Sequence, residues 1–527
     1  MDAMHLFELT IAMLFAIIAL HWLANRLGLP PAVALIIGGA ALAFLPGLPV
    51  ITLDPALVLV IFLPPLLMDG AWFIALRHLR RHLLGILSLA IGAVVFTTVV
   101  VAVVAHLLLP SLPWAACAAL GAIVSPPDAI SARAVLQRVQ LPHRLSTLLE
   151  GESLLNDATG LVLFRFAVAA AVTGTFSTFE ALGSFTLLVL GGIAVGAALG
   201  ALWVFLVRRL RDDYLAIAAS VLLCWAAYLL GEKLHVSGVI ATVVAGLICG
   251  WYQHVVFSAM VRMRGTSFWN VMIFLLEASV FMLIGSSLRD VIERVGGVAV
   301  VFEEMALPIL VILLALTLAR FAWVYGSDAF ISLQRLLGFK RYHPVGPRSA
   351  AILSWAGMRG VVTLAVALSV PATMPGRDFM LVTAFAVILG TVLIQGMTLG
   401  AVIRWARPDL TPEPVGMTMS EAEAAMAQAQ LQLIERRAYD GEGTLIHPQL
   451  LDRYRMRAQI STRYAGNEAE YNPRLHAHFD LILEIVSAGR TELLRLHRAG
   501  DIDDHTLHEL ERDLDLEELA ALSAKAT

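Results

Sequence analysis

The sequence predicts an all-α, polytopic membrane protein, and three observations carry that expectation. Of 527 residues, 59% are hydrophobic and only 15% are charged, with a mean hydropathy of +0.79, well outside the range of soluble domains. The apolar residues gather into thirteen runs, most of them able to cross about 30 Å of hydrocarbon. The loops between those runs alternate sharply in basic charge.

In chain order the runs cover residues 5–25, 31–47, 54–75, 83–109, 114–138, 143–173, 182–207, 213–232, 236–253, 267–288, 300–328, 347–370 and 379–405. Several exceed the ~20 residues a crossing needs, so tilted or interrupted helices are expected. One set of alternate loops holds Arg26; Arg77, Arg80 and Arg81; Arg133, Arg138 and Arg144; Arg208, Arg209 and Arg211; Arg262 and Arg264; Arg335, Lys340, Arg341 and Arg348; and Arg404 and Arg407. The other set holds only Lys233, Arg289, Arg294 and Arg377. Eighteen basic residues against four orient the chain with its N-terminus outside and its C-terminus in the cytoplasm, and require an odd number of crossings.

The first run follows Asp2 and includes Glu8, with no basic segment before it and no small-residue cleavage site, so it reads as a retained helix and not a signal peptide. Cys117, Cys224 and Cys249 all lie in apolar runs and read as packing residues, without metal-ligand spacing. A net charge of −4 and the lack of a basic tract exclude nucleic acid as a partner. Only three of the 37 basic residues are lysine, a bias typical of GC-rich bacterial genomes, and the expected location is a bacterial inner membrane. Residues 1–407 form the expected membrane domain. After it, Thr411-Pro412-Glu413-Pro414 reads as a linker, and residues 408–527 as a cytoplasmic helical domain. Ser420 to Arg437 and Leu481 to Leu496 there carry apolar residues at three-to-four spacing.

The chemistry lies where polar residues interrupt the apolar runs. Glu152, Ser153, Asn156 and Asp157 fall on roughly a 140° arc of one helix, from which Leu154 and Leu155 point away. Asp157 lies next to the midpoint between His143 and Thr173, where a carboxylate costs at least about 2.5–3.5 kcal/mol. A chain that keeps such a cluster at the bilayer centre uses it, and an ion or proton pathway is the first reading. In the fifth run, Ser125-Pro126-Pro127-Asp128 removes two backbone donors in succession, which breaks the helix and places Asp128 as a cap on its second half. In the twelfth, Gly357-Met358-Arg359-Gly360 places a guanidinium near the midplane between glycines. Such a charge requires a partner, with Glu152 the leading candidate and Glu277 its rival. Breaks at matching positions of two six-helix halves, related by inversion, are the sequence pointer to a transporter's binding site.

Five motifs in order then resemble the monovalent cation:proton antiporter-1 family of sodium/proton exchangers. They are Leu63-Pro64-Pro65-Leu66-Leu67-Met68-Asp69, Ser125-Pro126-Pro127-Asp128, Gly151-Glu152-Ser153-Leu154-Leu155-Asn156-Asp157, Ala319-Arg320 and Gly357-Met358-Arg359-Gly360, within roughly residues 5–405. The resemblance implies about thirteen transmembrane helices in two inverted repeats, with helices 5 and 12 broken. It implies that Asp157 binds either cation or proton, that Asn156 marks the branch with one membrane carboxylate and electroneutral exchange, and that Ser153, Asp128 and a carbonyl at Pro127 complete the Na+ shell. It further implies a Glu152–Arg359 ion pair and a homodimer, with Glu277, Arg320 and Asp69 as secondary site candidates. One departure stands out: the family's Thr-Asp-Pro is here Pro127-Asp128-Ala129, so a ligating hydroxyl is missing and selectivity among Na+, Li+ and K+ is left open.

On this reading protons and a hard cation compete for one oxygen-lined site, and the empty carrier is disfavoured because its bare carboxylate must be desolvated. A potassium/proton antiporter on the same fold and a cation channel are the alternatives. An enzyme is disfavoured because no zinc spacing, Gly-x-Ser-x-Gly elbow or phosphate loop is present. No cofactor is expected.

Overall fold

Nine helices among the described residues are long and apolar enough to cross a membrane. They are Phe7–Leu27, Leu79–Leu108, Arg144–Val172, Gly183–Val207, Asp213–Lys233, Gly238–Val256, Ala259–Arg294, Val298–Leu336 and Arg377–Ala406, and three shorter apolar helices, Pro31–Ala43, Leu57–Phe73 and Trp114–Val124, accompany them. This computed structural model describes residues 3–44, 55–74, 76–128, 141–173, 178–338, 343–408, 417–440, 444–466 and 468–526, and no strand occurs among them. The chain divides into two units, Met1–Thr411 and Pro412–Thr527.

Most apolar runs fold as read, with ends displaced where capping and ion pairs extend a helix beyond its apolar stretch. The run at 267–288 is the clearest case, because its helix spans Ala259–Arg294. The Ser258 hydroxyl caps its start by accepting from the Val261 N–H at 3.1 Å, and Arg289–Glu293 and Arg294–Asp290 pairs at 2.7 Å support its far end. The twelfth run splits into Pro347–Trp355 and Val361–Leu368. The fifth stops at Val124; its second half, with Arg133 and Arg138, lies outside the described residues, as do Lys340, Arg341 and the Thr411–Pro414 linker.

Small residues let these helices approach at backbone distance. Gly192, Gly196 and Gly200 recur every fourth residue along one helix and lie against Ala241 and Ala245 of Gly238–Val256 and against Ser237, which caps that helix, the small-residue contact that holds helices together where lipid offers no hydrophobic drive. Gly39 and Gly285 face each other's helix backbones in the same way.

Two proline pairs meet opposite fates. Pro64 and Pro65 lie inside a helix that stays continuous from Pro55 to Phe73. Pro64 cannot donate to the carbonyl of Val60, and the Trp225 indole N–H takes that acceptor at 2.9 Å. Pro126 and Pro127, in contrast, end their helix.

The second unit, described by itself, is two helical hairpins. Met419–Arg437 packs on Pro448–Gly466, and Glu468–Ala499 on Asp504–Ala526. A capping box opens the first, the Thr418 hydroxyl accepting from the Glu421 N–H and the Glu421 carboxylate from the Thr418 N–H.

Candidate ion-binding site

The two breaks cross. In a continuous helix the Asp128 N–H would donate to the carbonyl of Val124; here it donates to the carbonyl of Met358 in the other break at 2.6 Å. Val124 is thereby left an open acceptor, which the Arg359 Nε–H fills at 2.9 Å. The Arg359 Nη2 donates to the Ser125 carbonyl at 3.2 Å, and its Nη1 donates to the Gly357 carbonyl. The Arg359 backbone N–H donates to the Thr391 hydroxyl at 3.0 Å, which projects from a π-turn, Thr391–Gln395, in the last membrane helix. Arg359 is 1% exposed, and its guanidinium neutralises the negative end of the half-helix Trp114–Val124.

A second arginine serves the second break in the same manner. Breaking the helix after Trp355 frees the carbonyl of Leu353, which accepts from Arg320 Nε at 3.2 Å and Nη2 at 3.0 Å. The rest of the Arg320 guanidinium closes a bidentate ion pair on Glu152, Nη1 to Oε1 at 2.6 Å and Nη2 to Oε2 at 2.9 Å. This corrects the sequence expectation: the partner of Glu152 is Arg320, a secondary candidate, and not Arg359. The physical reason lies in donor accounting. Arg359 spends Nε, Nη1 and Nη2 on freed carbonyls, and the fork of Arg320 has the geometry a carboxylate requires. Gly357 has no Cβ because Arg320 lies across its Cα, and Gly360 none because the Asp128 carboxylate occupies that space.

The acid helix, His143–Thr173, lies against this crossing. Gly160 lets the Pro126 ring seat on it. The Asn156 Nδ2 donates to the carbonyl of Pro127 at 2.5 Å, which fixes the amide orientation, since a carbonyl only accepts. Asn156 Oδ1 is consequently turned the other way, and it is buried with no hydrogen-bond partner among the described residues. The next residue, Asp157, is 8% exposed and within electrostatic reach of Asp128. Asp128 and Ser153 are half-buried, and Pro127 is buried. A carboxylate pair and an unsatisfied amide oxygen thus gather at one crossing, an oxygen-rich environment suited to a hard cation. Asp69 is buried on Pro55–Phe73 and Glu277 half-buried on Ala259–Arg294; neither takes part in the crossing bonds described above.

Two interrupted helices bonded to each other at their breaks, beside buried carboxylates, define, first, a class: a multi-pass membrane transporter. Comparison with known proteins gives the particular family. The model of the family described as "Sodium/hydrogen exchanger, transmembrane" matches residues 11–405, and the chain belongs to that family of monovalent cation:proton antiporters. It is 33% identical to an uncharacterized Na+/H+ exchanger of Mycobacterium tuberculosis, over 97% of this chain and 95% of that one. It is 34% identical to the sodium, potassium, lithium and rubidium/H+ antiporter of Bacillus subtilis, over 74% of this chain and 60% of the relative. The solved structure of the sodium proton antiporter MjNhaP1 from Methanocaldococcus jannaschii shares the fold, with a TM-score of 0.62 at 20% identity over 78% of this chain and all of that one.

Proposed function

We propose that this chain exchanges Na+ for H+, one for one, by alternating access with both ions competing at Asp157. The observation that carries this reading is the buried, unsatisfied Oδ1 of Asn156 next in the chain to Asp157, itself within electrostatic reach of Asp128. In this mechanism Asp157 supplies the one exchangeable charge, while Asp128, Ser153 and a carbonyl near Pro127 complete the oxygen shell. Asn156 clamps the first break to the acid helix through its Nδ2 and turns its Oδ1 toward the cation. Glu152, Arg320 and Arg359 hold the broken backbones and carry no ion. A site emptied of both ions leaves a desolvated anion, which is costly to move through a low-dielectric interior; the carrier therefore crosses loaded, and exchange is obligatory.

The same reading includes thirteen crossings in two inverted six-helix halves, a homodimer in a bacterial inner membrane, the N-terminus outside, and residues 408–527 as a cytoplasmic domain. Potassium as a further or preferred cation is the second reading. The Bacillus subtilis relative, a sodium, potassium, lithium and rubidium/H+ antiporter, favours it, as does the absence of a threonine before Asp128. The test is a pH gradient imposed across vesicles containing the purified protein. Addition of Na+, Li+ or K+ should dissipate the gradient at a rate independent of imposed membrane potential. A current carried by cation with no proton movement would mark a channel and overturn the proposal.

A further inference from the structure

The acid helix is held in two different ways. At the crossing it is tied by buried polar bonds, Asn156 to the Pro127 carbonyl and Glu152 to Arg320. Against the helix Gly238–Val256, in contrast, Leu154 and Ala158 join Tyr228, Val239, Ile240 and Val243 in one apolar cluster. Apolar contacts supply no directional bond, so a seam of this kind permits small sliding of packed helices. Eight residues beyond Asp157, about 12 Å further along the acid helix, a charge is added to that seam: Arg165 Nη2 lies 2.9 Å from Glu232 Oε2. Glu232 is in the last turn of Asp213–Lys233, and its Oε1 accepts at 3.4 Å from the N–H of Gly238, the first residue of Gly238–Val256, where the helix dipole favours an anion. Gly231 lies against the backbone of Gly238. These two helices and Glu232 therefore form one hairpin, to which Arg165 reaches across from the acid helix.

Two ion pairs of the acid helix differ in how they can open. The side chains of Glu152 and Arg320 are only 2% and 4% exposed, and separating them would strand both charges in the interior. Those of Arg165 and Glu232 are 49% and 34% exposed. Water can take up either charge on separation, and exposed pairs hold weakly. We propose that Arg165–Glu232 is a latch: closed, it fixes the register of the acid helix against the hairpin, and it opens in each exchange cycle as the acid helix and the crossing slide together along the apolar seam. The inference rests on the alternating access proposed above. Arg165 is thereby a positioning residue, acting through the acid helix that carries Asp157. The strength of its pair sets how the carrier divides between its two access states.

Two measurements on the full-length protein test this. In the first, protein carrying Arg165→Cys and Glu232→Cys is bridged in vesicles by a short bis-methanethiosulfonate reagent. The native Cys117, Cys224 and Cys249 are buried, so wild type treated alike is the control. Bridging should slow gradient dissipation at least tenfold, and reduction should restore it. Undiminished exchange by protein shown by mass to be fully bridged would overturn the latch. In the second, spin labels at Val172→Cys and Leu234→Cys, both exposed, report the distance between acid helix and hairpin without any transport. Glu232→Gln should enlarge a second distance population severalfold. Arg165→Glu with Glu232→Arg, which rebuilds the pair with its charges exchanged, should return the distribution to that of wild type. Identical distributions with and without Glu232→Gln would overturn the proposal, as would a second population that the exchanged pair fails to reduce. Wild type that exchanged no ions would sink the proposed function instead, and the distances would still decide the latch.

Discussion

Glu152 and Arg320, 168 residues apart in the chain, form a bidentate ion pair with side chains only 2% and 4% exposed. The pair ties the acid helix to the helix Ala306–Leu336 and, through the Leu353 carbonyl, to the second break. Removing one member of a buried pair leaves an uncompensated charge and costs about 3–5 kcal/mol. Arg320→Ala and Glu152→Ala should each lower the melting temperature of the purified protein severely, and the double variant should lose less than the two single losses combined. Equal, additive losses would contradict the pairing.

Arg359 has a different task, because its guanidinium reaches three carbonyls on both breaks. Arg359→Lys keeps the charge but not the planar fork. It should therefore destabilise the protein nearly as much as Arg359→Ala, as measured by thermal unfolding. Full rescue by lysine would mean that charge alone matters there.

At Gly360 the prediction is steric. A methyl group on its Cα would enter the space of the Asp128 carboxylate, so Gly360→Ala should displace Asp128 and weaken apparent cation affinity at least tenfold in a gradient-dissipation assay. Gly326, which has open space around its Cα, provides the control, and Gly326→Ala should leave affinity unchanged.

Trp225 supplies the hydrogen bond that keeps Pro55–Phe73 helical through two prolines. Trp225→Phe removes the donor and leaves the Val60 carbonyl unsatisfied, at a cost of about 1–3 kcal/mol. Its melting temperature should fall while ion exchange at permissive temperature survives.

Most of the apolar helices, and the polar residues that meet at the two breaks, were legible in the sequence because lipid enforces simple rules: apolar runs cross, and midplane charges are rare. Partner choice was not legible. Glu152 had two buried arginines, Arg320 and Arg359, to choose between, and the choice depends on which carbonyl each break frees. The freed carbonyl of Leu353 was the available signal, since a break between Trp355 and Gly360 leaves that acceptor for a nearby donor. The proline pairs teach the same lesson. Pro64-Pro65 and Pro126-Pro127 are identical dipeptides, and what separates them is a tryptophan 165 residues from Val60, invisible to local reading.

The central claim rests on Asp157, and one measurement tests it most directly: dissipation of a pH gradient by Na+ or K+ in vesicles, for wild type and Asp157→Asn, across pH. For wild type, one shared carboxylate means that the half-saturating cation concentration rises about tenfold for each pH unit below the pH at which the site is half-protonated, or about 1.4 kcal/mol. Asp157→Asn removes the charge with almost no change of volume, so it should elute and melt as a folded protein yet leave the gradient intact at every pH. Folded Asp157→Asn protein that still collapsed the gradient on addition of either cation would contradict the account.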